Sequence, residues 1–123
     1  MLVKRPLSPH LQVYRLPLTG LISITHRVTG VLLALGLALF VYMLVTVAMG
    51  ETMYQSMQSF MAFGLCRGVY WGFVFALFFH LCHGIRHLIW DVGKTLDRAT
   101  LTVYAVVELL ASVALTLTTY YLS

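Results

Sequence analysis

The sequence predicts an all-α membrane protein with three transmembrane helices, and three observations carry that reading. Of 123 residues, 60% are hydrophobic and only 10% charged, with a mean hydropathy of +0.89, whereas a water-soluble domain carries about a quarter charged residues. Three apolar runs, at about 29–49, 68–90 and 101–122, each reach the roughly 20 helical residues needed to cross a hydrocarbon core of about 30 Å. The lysines and arginines gather at one set of span ends.

Residues 1–20 read as an interfacial arm ahead of a membrane domain at 21–123. Pro6, Pro9 and Pro17 each deny the backbone a helical hydrogen bond, so the stretch from Met1 to Leu18 is expected to be irregular or to lie flat on the surface. The first apolar run lies behind 28 residues that hold Lys4, Arg5, Arg15 and Arg27, which excludes a cleaved signal sequence. Helix is expected from near Thr19 or Gly20, with Thr19 as the cap, so that the first span covers 21–49. Gly30, Ala34 and Ala38, in steps of four, offer a flat stripe for close packing.

Basic residues are retained on the cytoplasmic side of a membrane. The arm and the start of the first span have four, the loop between the second and third spans has Lys94 and Arg98 with Arg86 just inside, and the other side has only Arg67. The amino terminus and the 91–100 loop are therefore expected inside. The net charge of +4 reflects scarce acids as much as abundant bases, so nucleic acid is not the expected partner. Two cysteines exclude a disulfide-stapled scaffold and a four-thiolate site. No arginine- and serine-rich transit stretch precedes Arg5, which favours a bacterial inner membrane over a mitochondrial one.

Ionisable residues inside a span are costly and mark function by default. The second span holds His80, Cys82, His83, Arg86 and His87 among Phe, Leu, Val and Ile. At 100° per residue His80, Gly84, His87 and Asp91 share one stripe, while Arg86 points to nearly the opposite face. His80 lies near the middle of the span, where a neutral imidazole is an inexpensive ligand. Imidazole suits haem iron, and Gly84 one turn along removes a side chain that would obstruct a flat macrocycle. His80 and His87 are about 10 Å apart along the axis, so a second axial ligand must come from another chain. On spacing alone each histidine serves equally as an interhelical hydrogen-bond donor, a role that suits His83, off the stripe, best. His87 reads as a ligand or as a donor to a bound carboxylate, Cys82 as apolar filler, and Arg86 as a side chain that snorkels to the interface.

A second constellation is Ser23-Ile24-Thr25-His26-Arg27. Ser23 and Arg27, at i and i+4, share a helix face with His26 beside them. A hydroxyl and a guanidinium donate to a carbonyl oxygen that gains negative charge, as quinone reduction requires, although an arginine at this depth also serves as a lipid anchor. In the third span Glu108 is the one acid at depth, and it is compatible with protonation, with a partner on a neighbouring subunit, or with a water pocket.

With these residues in place the chain resembles the cytochrome b large membrane-anchor subunits of succinate dehydrogenase, the succinate:quinone oxidoreductase of complex II. Two stretches carry the resemblance: Arg5-Pro6-Leu7-Ser8-Pro9-His10-Leu11 followed by Ser23-x-x-His26-Arg27-x-Thr29-Gly30, and His80-x-x-x-Gly84-Ile85-Arg86-His87-Leu88-x-Trp90-Asp91-x-Gly93. It implies a helical bundle formed with a second, small anchor subunit, with His80 as one axial ligand to a shared haem b. Ser23 and Arg27 match residues of the ubiquinone site, His26, Arg27 and His87 match groups near the haem carboxylates, and Asp91 matches an acid at the inner helix end that serves proton delivery or caps the helix. His83 and Glu108 have no counterpart. The implied partners are the flavoprotein and iron–sulfur subunits, the small anchor subunit, ubiquinone and lipid.

The chain has no glycine-rich nucleotide turn and no set of four cysteines, so flavin and iron–sulfur clusters belong elsewhere. It is non-catalytic alone. The rival expectations are the anchor of a fumarate reductase or other b-type quinone enzyme, and a haem-free structural or transport subunit whose histidines only join helices.

Overall fold

The computed structural model describes residue 13, residues 15–94 and residues 97–123. Most of the expected arm, with Lys4, Arg5, Pro6, Pro9 and His10, lies outside these residues. Among the described residues there are four helices: α1 Leu18–Ala48, α2 Glu51–Met61, α3 Gly64–Asp91 and α4 Arg98–Leu122. Three of them, α1, α3 and the Ala99–Leu122 stretch of α4, are long and apolar enough to cross a membrane. There is no strand among the described residues.

α1 begins earlier than expected, at Leu18, and Thr19 is not its cap. Pro17 takes that place in an extended conformation (φ −66°, ψ 155°). Its carbonyl accepts from the amides of Gly20 (2.9 Å) and Leu21 (3.1 Å), so the ring that cannot continue a helix serves to start one. At the other end α3 closes in a Schellman motif. The Gly93 amide bonds the Trp90 carbonyl at 2.7 Å and the Lys94 amide bonds that of Ile89 at 3.4 Å, with Gly93 at φ 77°, where a Cβ would be strained.

α3 is the centre of the bundle, packed on α1 along one side and α4 along the other. The apolar core is small: Ile22 of α1, Phe79 of α3 and Ala105 of α4, flanked by Phe75 and Leu109. Large aliphatic side chains elsewhere point outward, as with Leu35, Leu37, Leu81 and Leu110. Such a surface is stable only against lipid or another subunit. The contact face of α1 runs through Ile22, His26, Thr29, Leu33, Gly36, Met43 and Thr46, all buried or half-buried. This corrects the expected stripe: Gly30 belongs to the packed side, but Ala34 and Ala38 are exposed. The close approach is instead at Gly36, where a Cβ would lie 2.9 Å from Cδ1 of Phe73.

α2 was not foreseen. It follows Gly50 (φ 98°) and sets Tyr54, Met57 and Met61, at i, i+3 and i+7, toward the bundle while Gln55, Ser56 and Ser59 stay exposed. Hydroxyls within the spans return to their own helix: Thr46 to the Met43 carbonyl, Ser112 to Glu108 and Thr116 to Ser112, each at 2.7 Å. These three are paired within their own helices and need no partner from lipid.

α4 opens on Asp97, whose carboxylate accepts from the Thr100 hydroxyl at 2.6 Å and the Thr100 amide at 3.0 Å. These two bonds hold the Asp97 carboxyl below the usual carboxylate range, the hydroxyl contributing most. The cap is therefore at full strength above the ordinary carboxyl value, about 3.9, and is lost as pH falls through the lowered folded value. In Asp97→Ala the Thr100 amide is expected to exchange with deuterium faster, and in Asp97→Asn, which still caps, the acid dependence of that exchange disappears.

Candidate functional site

His26, His80, His83, Arg86, His87 and Glu108 collect where α1, α3 and the first half of α4 meet. His26 of α1 stacks on His80 of α3, with ring centroids 4.0 Å apart and planes 14° from parallel. His83 and His87 follow on α3, with centroids 4.4 and 5.7 Å from His26. One ring nitrogen each of His26, His83 and His87 lies within 4.8 Å of the others. The i, i+3, i+7 spacing of His80, His83 and His87 puts all three on the side of α3 that α1 covers.

The orientation of His80 follows from proton accounting. The Thr29 hydroxyl donates to the His26 carbonyl at 2.9 Å and so spends its hydrogen. Its lone pairs remain for Nδ1 of His80, at 3.2 Å. Nδ1 is then the protonated nitrogen, and Nε2 keeps the lone pair that a metal needs. Gly30 allows the approach: a Cβ there would sit 3.2 Å from Cε1 of His80. On α3 itself, a Cβ at Gly84 would meet nothing within 4 Å, so the face one turn from His80 is open. An imidazole with a free Nε2 beside an open glycine face fits the edge of a flat macrocycle.

A buried ionic group stands behind the histidines. Nδ1 of His83 donates to Oε1 of Glu108 at 2.7 Å, and Arg86 donates to Oε2 at 3.1 Å. Arg86 also donates to the Leu101 carbonyl at 2.8 Å and lies 4.6 Å above the Trp90 ring. His83, Arg86 and Glu108 are 1%, 4% and 5% exposed. Glu108 thus finds its partners within its own chain, and Arg86 does not snorkel to the interface but faces α4. The face of α3 opposite His80 is the face that α4 covers, so distance from the histidine stripe did not mean lipid. The only sequence signal for this group was a single deep acid on one span opposite His and Arg at i and i+3 on another.

Among the described residues, four buried side-chain nitrogens have no hydrogen-bond partner: His26 Nε2, His83 Nε2, Arg86 Nε and Trp90 Nε1. Other expected residues stand further out. Ser23 is half-buried and Arg27 exposed on α1, flanking His26, while His87 and Asp91 are exposed toward the end of α3. The structure brings His26, His80 and His87 together, and sets Ser23, Arg27 and Asp91 at the same end of the bundle without joining them to the cluster.

A three-span helical bundle with histidines packed between two of its helices defines the class as a multi-pass membrane protein. Residues 1–119 match the family model described as the succinate dehydrogenase/fumarate reductase transmembrane subunit, and the chain belongs to this family. It is similar to the succinate dehydrogenase cytochrome b560 subunit of Reclinomonas americana, with 37% identity over 106 residues, 79% of this chain and 71% of that one. The mitochondrial cytochrome b560 subunit of Sus scrofa is 41% identical over 116 residues, 89% of this chain and 66% of the relative. The cytochrome b556 subunit of Paracoccus denitrificans is 40% identical over 97 residues, 76% and 72% of the two chains.

Proposed function

We propose that this chain is the cytochrome b membrane anchor of a succinate:quinone oxidoreductase. It holds the flavoprotein and iron–sulfur subunits at the inner face, gives one axial ligand to a haem b shared with a small anchor subunit, and forms part of the ubiquinone site. The observation that carries this reading is the contact of His80 Nδ1 with the Thr29 hydroxyl at 3.2 Å, which leaves Nε2 as the nitrogen for a ligand. Bound there, haem b would supply a one-electron redox centre. His80 would supply the ligating Nε2, with Thr29 holding its ring, and His26, Arg27 and His87 would receive the haem carboxylates. Thr29→Val removes the acceptor that fixes the His80 tautomer. Haem affinity is expected to fall about 10–100-fold, measured by haem retention during dilution of the assembled complex.

Ser23 and Arg27 take the quinone end. Their hydroxyl and guanidinium donate to a quinone oxygen as it gains negative charge, and Asp91 delivers protons from the inner surface. The positions of Lys94 and Arg98 and the arm of residues 1–20 favour an amino terminus on the inside of a bacterial inner membrane. In Arg27→Ala, succinate:ubiquinone turnover is expected to fall about 100-fold, the scale of removing one donor to a developing anion, while succinate oxidation with a soluble dye is kept. Equal loss of both activities would contradict the assignment of Arg27 to quinone. The family description covers fumarate reductase as well, and the same residues then serve quinol oxidation.

A further inference from the structure

We infer that His83 is a third polar contact for the haem carboxylates, beside His26 and His87, and that Glu108 is the positioning residue that aims it. This rests on the haem reading above. Glu108 holds Nδ1 of His83 at 2.7 Å, which fixes the ring and leaves Nε2, buried and without a partner among the described residues. The ring lies 4.4 Å from that of His26 and 4.8 Å from that of His87.

The chemistry of the group these nitrogens await can be read from two features. The Trp90 ring lies 4.9 Å from that of His87 and 6.3 Å from that of His83, and its buried Nε1, without a partner among the described residues, can only donate. Its complement is an acceptor, as a carboxylate oxygen is and a metal cation is not. The spacing permits it. Two N–H donors about 2.8 Å from one carboxylate oxygen stand about 4.6 Å apart, a separation open to ring nitrogens of His26, His83 and His87 that all lie within 4.8 Å of one another. Charge also balances. A haem carboxylate accepting from Nε2 would place a proton on both ring nitrogens of His83, and the imidazolium so formed, with Arg86, would offset Glu108 and that carboxylate.

The test is resonance Raman spectroscopy of the haem carboxylate-bending band, with a redox titration of the haem, on the assembled complex. In His83→Leu the band is expected to shift, and the haem one-electron equilibrium to move tenfold toward the oxidised form, a drop of 59 mV. His83→Gln, which keeps a donor, restores both in part. Glu108→Gln moves the same band although it touches no haem atom, and Glu108→Gln with Arg86→Met reads the same effect with both buried charges removed together. A band unmoved in His83→Leu and in the paired variant, with the low-spin spectrum intact, would overturn this inference and leave His80 as ligand. A wild-type complex without a b-type spectrum would overturn the haem reading beneath it.

Discussion

Glu108→Ala is expected to destabilise the bundle by about 3–5 kcal/mol, the cost of removing one partner from a buried ion pair. The lost His83 contact is the smaller part, since interhelical hydrogen bonds in membrane proteins average about 0.6 kcal/mol. The larger part is Arg86, 4% exposed, whose charge would keep only the Leu101 carbonyl and the Trp90 ring. Glu108→Gln preserves hydrogen bonding but not charge, so it should fall nearer to alanine than to wild type. Arg86→Met with Glu108→Leu removes both charges and is expected to be close to neutral, as apolar replacement of buried pairs often is. Thermal unfolding of the detergent-solubilised complex, followed by circular dichroism, orders the three variants. Equal destabilisation by the single and paired changes would mean that packing, not charge, governs this site.

His80→Ala should abolish haem binding while the complex still assembles. The loss exceeds the roughly 10–100-fold expected for outer partners such as Thr29, because a ligand itself is gone. Assembly survives because His80 is only half-buried, and its contacts with Thr29 and His26 are replaceable by lipid or solvent at the bundle's end. Haem extracted as the pyridine complex, measured against subunit content, checks this. Retention of haem in His80→Ala would place the iron on His83 or His87, or wholly on a partner.

The spans were legible because apolar length is a one-dimensional property of the chain. The stripe of His80, Gly84 and His87 was legible because helical period alone places it. What could not be read was how the helices turn toward each other. Arg86 looked like an interfacial anchor and Glu108 like a partner for another subunit, because nothing along either helix says that these two faces meet. The same limit misplaced Ala34 and Ala38, small residues that face outward while Gly36 takes the close contact with Phe73. Thr29 passed as an ordinary span residue, its value to His80 being a contact across 51 positions of sequence. α2 escaped because 11 residues are too few to span a membrane.

The most direct test of the central claim is a dithionite-reduced minus oxidised spectrum of the purified complex that contains this chain, taken with its subunit stoichiometry and its succinate:quinone activity. The account predicts a low-spin b-type band in proportion to this chain. A complex with full quinone activity and no such band would contradict it, and would leave the histidines between α1 and α3 as a purely structural joint.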